Sequence, residues 1–337
     1  MVAWPTVLAT RIRAHLQNKR LTLEERQQLS ETQALEDRFA PTRFVGFVRN
    51  IIRQQRPSIV IAEYVFTSRV LLGLPKKILK IIDTHDLFST KKEKVIDLGV
   101  DDPLHLSRPA EAALLRRADL VLAIQQQERE ALCNMVPDRA VVNLGVDFPI
   151  KLSPRKATGN IPFSEACNLL MVASDNALNR RGLQELLDHA WPGIVSAAPH
   201  VRLRVVGKVA EGMQFNQPNL DAVGPVDDLD SEYAQADIVL NPVRAGTGLK
   251  IKSVEAVCHG KPLISFPNGV DGFTHDEAMP FIVVDSWQDF AQAVIALSHD
   301  PVHREQLAGH AESYAMRYFS KAPVFSEFET FLRSNFP

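Results

Sequence analysis

Residues 246–255 read Gly246-Thr247-Gly248-Leu249-Lys250-Ile251-Lys252-Ser253-Val254-Glu255. An apolar run precedes them, Ala236-Asp237-Ile238-Val239-Leu240-Asn241-Pro242, with the length and closing turn signal of a buried strand. From Leu249 to His259 the spacing is helical, and Gly260 and Pro262 close the run. Leu263 to Phe266 then reads as a second buried strand. The order is strand, glycine loop, helix, strand. A glycine loop that opens a helix presents backbone N–H groups and the positive end of the helix dipole, which suits phosphate. Lys250 and Lys252 add two cations in the first turn, and Lys252 and Glu255, three apart, share one face. A lysine for a diphosphate and an acceptor-only carboxylate for a ribose diol together describe a nucleoside-diphosphate site.

The same alternation runs along the chain. Ser58–Ala62, Ile78–Ile82 and Leu120–Ile124 read as buried strands in the first half. Leu169–Ala173, Leu203–Val206, Ile238–Leu240, Leu263–Phe266 and Phe281–Val284 do so in the second, with a short strand at Asp221–Val223. Helical patterns lie between them at Pro109–Ala118, Gln126–Met135, Arg181–His189 and Trp287–Ser298. Strand–helix alternation predicts an α/β fold of parallel sheets covered on both faces. A stretch rich in Pro, Gly, Lys and Ser, Asp147–Pro162, is the expected linker between two Rossmann-like domains that face a cleft. The expected division is 1–150, 151–315, and a C-terminal helix at 316–337. Ligands of such sheets bind at the carboxyl ends of the strands.

The chain has 337 residues, 45% of them hydrophobic and 23% charged, an ordinary globular composition. No apolar run approaches the roughly 18–20 residues that a membrane span needs. No secretory leader is legible at the N-terminus, and Cys133, Cys167 and Cys258 have no metal spacing; reduced thiols in a cytoplasmic protein are expected. The net charge of −2 is unevenly split. Residues 1–155 hold 24 Lys+Arg against 18 Asp+Glu, and residues 156–337 hold 14 against 22. A basic first half suits an anionic partner, either a membrane surface or a phosphorylated acceptor; the other reading is a scattered surface excess. Nucleic acid is not an expected partner at this charge with 7% aromatics.

The string Asn241–Ser265, with Glu255-Ala256, Gly260-Lys261-Pro262-Leu263-Ile264-Ser265 and then Gly269-Val270-Asp271-Gly272-Phe273, resembles the donor half of GT-B glycosyltransferases of family 4. Leu169–Gly207, Glu111–Leu132 and His303–Leu332 extend the resemblance, so it covers roughly Arg56 to the C-terminus. It implies a GT-B fold, a nucleotide-sugar donor as co-substrate with no cofactor or bound metal, transfer with retention, and a glycan or lipid-linked acceptor in cell-surface polysaccharide synthesis. Peripheral contact with the inner face of a membrane, through the basic half, is a further expectation. Three departures stand out. Residues 1–55 hold no strand followed by a glycine-rich loop, so the first domain is expected to be short of strands. The family's usual first glutamate has no acidic counterpart near Gly246 and Thr247. Asn179-Arg180-Arg181-Gly182 replaces the family's Arg-x-x-x-x-Lys-Gly, with arginine at the lysine position.

The expected donor-site residues are Gly246, Thr247, Gly248, Lys250, Lys252, Glu255, Arg181 and Val226. Lys252 and Arg181 would hold the diphosphate, with Arg180 a rival, and Lys250 would touch phosphate or face water. Glu255 would hold the ribose, and the loop Gly224-Pro225-Val226 the base through its backbone. Asp83-Thr84-His85-Asp86 follows a strand; the resemblance places an active-site histidine here, with Asp83 or Asp86 fixing its tautomer. The alternative for that cluster is a turn or cap. Asp227-Asp228-Leu229-Asp230 is expected to cap a helix at Ser231–Gln235 rather than bind metal. Phe44, Phe47, Val48, Ile51 and Ile52 share a helical face among Arg43, Arg49, Arg53 and Arg56; packing on a sheet is expected, and a membrane-surface helix is the rival. Catalysis would fall to His85, Asp83 and Lys252. A non-catalytic nucleotide-sugar-binding scaffold and a sugar-nucleotide epimerase are the alternatives.

Overall fold

The computed structural model describes residues 22–90, 106–152, 166–211, 213, 216–246, 249–274 and 278–335. The chain divides into two compact units. The first takes the described residues among 1–92, 103–122 and 130–141; the second takes those among 93–102, 123–129 and 142–337.

The first unit opens with two helices, α1 (Leu23–Phe39) and α2 (Thr42–Gln55). Its sheet has the order β1-β2-β3-β4: β1 (Ile59–Glu63), β2 (Leu79–Asp83), β3 (Leu120–Ala123) and β4 (Ala140–Asn143). The pairs β1–β2 and β2–β3 are parallel. All four residues of β3 are buried, as a run apolar on both faces requires. α3 (Arg108–Leu115) and α4 (Gln126–Met135) fall where helical spacing predicts them. β4 escapes the sequence reading because its apolar core is only Ala140-Val141-Val142. Among the described residues this sheet has four strands.

One expectation for α2 needs correction. Its inner face is Val45 and Ile52, whereas Phe44, Phe47 and Ile51 stay exposed, Phe47 by 63%. The helix packs along one flank on the turn Ser68–Leu71, so only part of its apolar arc finds a partner. No described helix is long and apolar enough to cross a membrane.

The second unit is built on a six-stranded sheet of order β10-β9-β8-β5-β6-β7, parallel throughout. The strands are β5 (Cys167–Val172), β6 (Val201–Val206), β7 (Leu220–Gly224), β8 (Ile238–Asn241), β9 (Leu263–Ser265) and β10 (Phe281–Val283). Strand residues alternate between two cores. Leu169, Met171, Leu203, Val205, Ile238, Leu240 and Ile264 face one core. That face is covered by α5 (Ala177–His189), α6 (Trp191–Ala197) and α9 (Trp287–His299). Leu170, Val206, Val239 and Leu263 face the other core, under α7 (Leu229–Gln235), α8 (Ile251–Cys258) and α10 (Pro301–Tyr318). The chain ends in α11 (Lys321–Asn335). The expected linker is bound at its start: Phe148 N–H donates to the Phe319 carbonyl and Lys151 N–H to that of Cys258. Residues 153–165 lie outside the described residues. Strand order reverses between β5 and β8, and such a switch point is where open parallel sheets bind ligands.

Candidate functional site

The carboxyl ends of β5 and β8 open side by side, and the polar residues that follow them meet there. Past β5, Asn176 caps α5 by accepting the Asn179 N–H at 2.9 Å. The Asn179 side chain is buried; its Nδ2 donates to the Ser174 carbonyl at 2.8 Å, which leaves its Oδ1 aimed outward. Lys252 Nζ on α8 donates to that oxygen. Burial pulls the Lys252 ammonium down to about 8, and the neighbouring Lys250 cation adds to the shift. A largely buried cation with a single neutral partner across a switch point is complementary to an anion.

Close packing sets this geometry. A Cβ on Gly182 would come within 3.1 Å of the Pro242 carbonyl oxygen, so glycine lets α5 press against the chain leaving β8. Beneath lies a buried polar knot. Asn241 Nδ2 donates to Ser253 Oγ at 2.9 Å, Ser253 Oγ to the Gly269 carbonyl at 2.6 Å, and Ser265 Oγ to the Asn241 carbonyl at 3.2 Å. These bonds tie β8, β9 and the start of α8 together. A Cβ at Gly269 would lie 2.0 Å from Ser265 Oγ, so only glycine fits.

α8 starts differently from its neighbours. Asn176, Asp228, Ser286 and Asp300 cap α5, α7, α9 and α10 with their side chains. Lys250 stands at the α8 cap position and makes no such bond. An uncapped helix start next to two lysines is electrostatically suited to phosphate. Gly246, at φ 140, donates no side chain to the space; its carbonyl accepts from Asn268 Nδ2 at 3.0 Å. Lys250 Nζ would be 3.7 Å from a Cβ built on Gly246. Thr247 and Gly248 lie outside the described residues. A hollow of ≈ 560 Å³ opens beside this loop, lined in part by Arg244, Ala245, Asn268 and Asp271.

One turn along α8, Glu255 is half-buried, and burial raises its carboxyl above the ordinary range, opposed by Tyr233 and His259. Tyr233 is fully buried, and burial holds its phenol well above the ordinary value, so it donates to Glu255 Oε2 at 3.3 Å. Its ring stacks on His259 at 4.2 Å. His259 bonds the Glu255 carbonyl through Nδ1 and Asp230 through Nε2, and Lys151 pairs with Asp230. Asp228 accepts the N–H groups of Asp230 and Ser231, the capping role expected of this acidic run. Val226 is half-buried against the same cluster as Tyr233.

Arg181 stands on α5, two residues past Asn179. Its Nε donates to Glu185 at 2.7 Å, one turn along α5, and Arg180 pairs with Asp175. Asn179, two residues earlier, holds Lys252 instead. Sequence spacing placed Asn179 at the same helix start but gave no sign of which of its neighbours turns inward.

In the first unit, Glu63 closes β1 and Asp83 closes β2, paired in register. His85 follows at φ 55, and its Nε2 contacts Glu63 Oε2, with Asp83 Oδ2 3.6 Å away. Glu63, rather than Asp83 or Asp86, is therefore the direct partner of His85. The parallel register opposite Asp83 is the signal that could have revealed it. Burial raises the Asp83 carboxyl; His85 opposes the shift and Glu63 adds to it. Tyr64, also left-handed at φ 61, lays its ring 4.7 Å from that of His85. Thr84 is anchored below, its Oγ1 donating to the Leu122 carbonyl at 2.8 Å. Ligand atoms of Glu63, Asp83 and His85 lie within 4.8 Å of one another, the one such trio among the described residues able to hold a metal ion.

Comparison with known proteins agrees with this architecture. Residues 166–300 match the family described as glycosyl transferases group 1. A Klebsiella pneumoniae relative, described as an uncharacterized 44.6 kDa protein in cps region, is 23% identical over 172 residues, 48% of this chain and 44% of the relative. Sucrose-phosphate synthase from Thermosynechococcus elongatus superposes with a TM-score of 0.68 at 17% identity, covering 87% of this chain and 77% of that one. Staphylococcus aureus TarM, solved with fondaparinux, α-GlcNAc-glycerol and UDP, gives 0.66 at 14% identity, covering 85% and 57%. Anabaena HepE, solved with UDP-glucose, gives 0.63 at 18%, covering 88% and 83%. This chain thus spans under two thirds of both the Klebsiella relative and TarM. The fold is that of GT-B glycosyltransferases, α/β with two parallel sheets.

Proposed function

We propose that this protein transfers a sugar from a nucleoside-diphosphate sugar to a hydroxyl of a glycan or lipid-linked acceptor. The observation that carries the reading is Lys252, nearly buried at the uncapped start of α8 and held by Asn179 over the switch point, with Glu255 one turn away. The donor diphosphate would lie against Lys252, Lys250 and the Gly246 loop. Glu255 would accept from the ribose hydroxyls, and the base would lie near Val226. As the bond from the sugar C1 to the diphosphate oxygen breaks, negative charge grows on that oxygen, and the Lys252 cation and helix start stabilise it. The acceptor oxygen bonds to C1 on the face that the diphosphate leaves, so the configuration is retained, and its proton passes to the departing diphosphate. His85, positioned by Glu63 and Asp83, would bond the sugar or acceptor hydroxyls. No cofactor enters this scheme. The cps-region relative supports a role in cell-surface polysaccharide synthesis.

The test is nucleoside-diphosphate release from a panel of sugar nucleotides, with and without acceptor extract. Lys252→Ala should abolish it. Release that persists in the variant would remove Lys252 from the reaction. A second reading, a non-catalytic nucleotide-sugar-binding protein, draws on the pairing of Arg181 and Arg180 with carboxylates. Nucleotide binding without any release would favour it.

A further inference from the structure

A hollow of ≈ 560 Å³ in the first unit is lined by Arg49, Arg53 and Arg56 from α2 and its C-cap, and by Lys77. Ile52 and Leu74 contribute apolar lining. Arg49 is fixed at the edge, its guanidinium donating to the Leu72 carbonyl at 3.1 Å. Gly73 is left-handed at φ 74, and a Cβ there would lie 4.0 Å from that guanidinium.

The charge gathered around this hollow is unbalanced. Several cations of the unit are matched: Arg69 pairs with Asp37, Lys80 with Asp119, Arg116 and Arg139 with Asp138, and Arg117 with Glu36. Among the described residues, none of the four cations of the hollow forms an ion pair with a carboxylate, and the sequence has no acidic residue from Arg43 to Arg56. Four like charges around one concavity repel each other, and the arrangement is relieved by an anion. Guanidinium groups favour phosphate, which they grip through paired N–H donors.

We propose that this hollow binds a phosphate group carried by an amphiphilic ligand, with Arg49, Arg53, Arg56 and Lys77 on the phosphate and the apolar lining against the remainder. A phospholipid headgroup and a soluble phosphate ester present the same chemistry. The exposed stripe Phe44, Phe47 and Ile51 is a separate feature. At about 100° per residue it lies on roughly the opposite flank of α2 from Gly46, Arg49 and Arg53. One flat surface cannot engage both through this helix. The proposal stands apart from the nucleotide-sugar reading, because no residue of the hollow belongs to the second unit.

The test uses the full chain and its Arg49→Gln/Arg53→Gln/Lys77→Gln variant. Each is sedimented with phosphatidylcholine vesicles, with and without phosphatidylglycerol, and separately titrated with inorganic pyrophosphate. Binding to the anionic vesicles that weakens on the order of a hundredfold in the variant, and is retained by Arg49→Lys/Arg53→Lys, supports the site and assigns it to lipid. Pyrophosphate binding that is lost in the variant, without vesicle binding, supports it and assigns a soluble ligand. Binding to neither, or equal binding by both proteins, overturns it, as does vesicle binding lost only in Phe47→Ser. The melting shift caused by UDP reports on the donor site alone. Single Arg53→Gln serves if the triple variant does not fold.

Discussion

Replacing Lys252 with methionine should stabilise the empty protein while removing nucleotide binding. Burial draws this ammonium from 10.5 to about 8. At roughly 1.4 kcal/mol per unit, keeping it charged in the fold near neutral pH costs about 3 kcal/mol. Methionine has a similar length and no charge to desolvate. Its penalty is the loss of the Asn179 partner, about 1–2 kcal/mol for a buried acceptor left without a donor. The net gain is about 1–2 kcal/mol, or a few degrees in melting temperature for a unit of this size. The sign with pH is fixed by linkage. A lysine with a lowered folded pKa binds fewer protons in the fold than in the unfolded chain between about 8 and 10.5. Wild-type stability from this group therefore rises through that window, and the advantage of Lys252→Met shrinks to nothing or reverses. The assay is thermal unfolding without ligand from pH 7 to 10.5. A variant less stable at pH 7, or a difference independent of pH, would refute the account of a cation held ready for an anion.

Further outcomes follow from the same geometry. Tyr233→Phe removes the donor to Glu255 and keeps the stack on His259; nucleotide affinity by calorimetry should fall roughly fivefold with the fold intact. Gly269→Ala drives a methyl into Ser265 and Asn241 at the ends of β9 and β8; urea unfolding should show a loss of about 1–3 kcal/mol. Glu63→Gln weakens the hold on His85; turnover should drop by roughly tenfold or more while nucleotide affinity stays unchanged. A fall in nucleotide affinity instead would place Glu63 outside the proposed role.

The second unit was largely legible in the sequence because its central strands are buried on both faces and so read as apolar runs bounded by turns. Leu169–Ala173 and Ile238–Leu240 needed no partner information to be found, and the Gly246–Glu255 string located the helix start. What spacing could not convey was the third dimension of polar contacts. Lys252 and Asn179 are 73 residues apart and meet because parallel strands bring their carboxyl ends together; Tyr233 and Glu255 are 22 apart and meet because α7 and α8 cover the same face of the sheet. Arg181 was a candidate diphosphate ligand beside Lys252 from its charge; spacing did not show that its Nε donates to Glu185, one turn along the same helix. The α2 face was misjudged for a related reason: periodicity identifies an apolar arc, not how much of it a neighbour covers. Glu63 was overlooked because a carboxylate ending a strand carries no signal until the register sets it opposite Asp83.

The most direct test of the central claim is thermal stabilisation by UDP, GDP, ADP and CMP, run on wild type and on Lys252→Ala. A ligand that binds only the folded state raises the melting temperature. The account predicts that one nucleoside diphosphate stabilises the wild type and leaves the variant unmoved, which also names the base. Equal stabilisation of both proteins, or none by any nucleotide, would contradict a donor site built on Lys252.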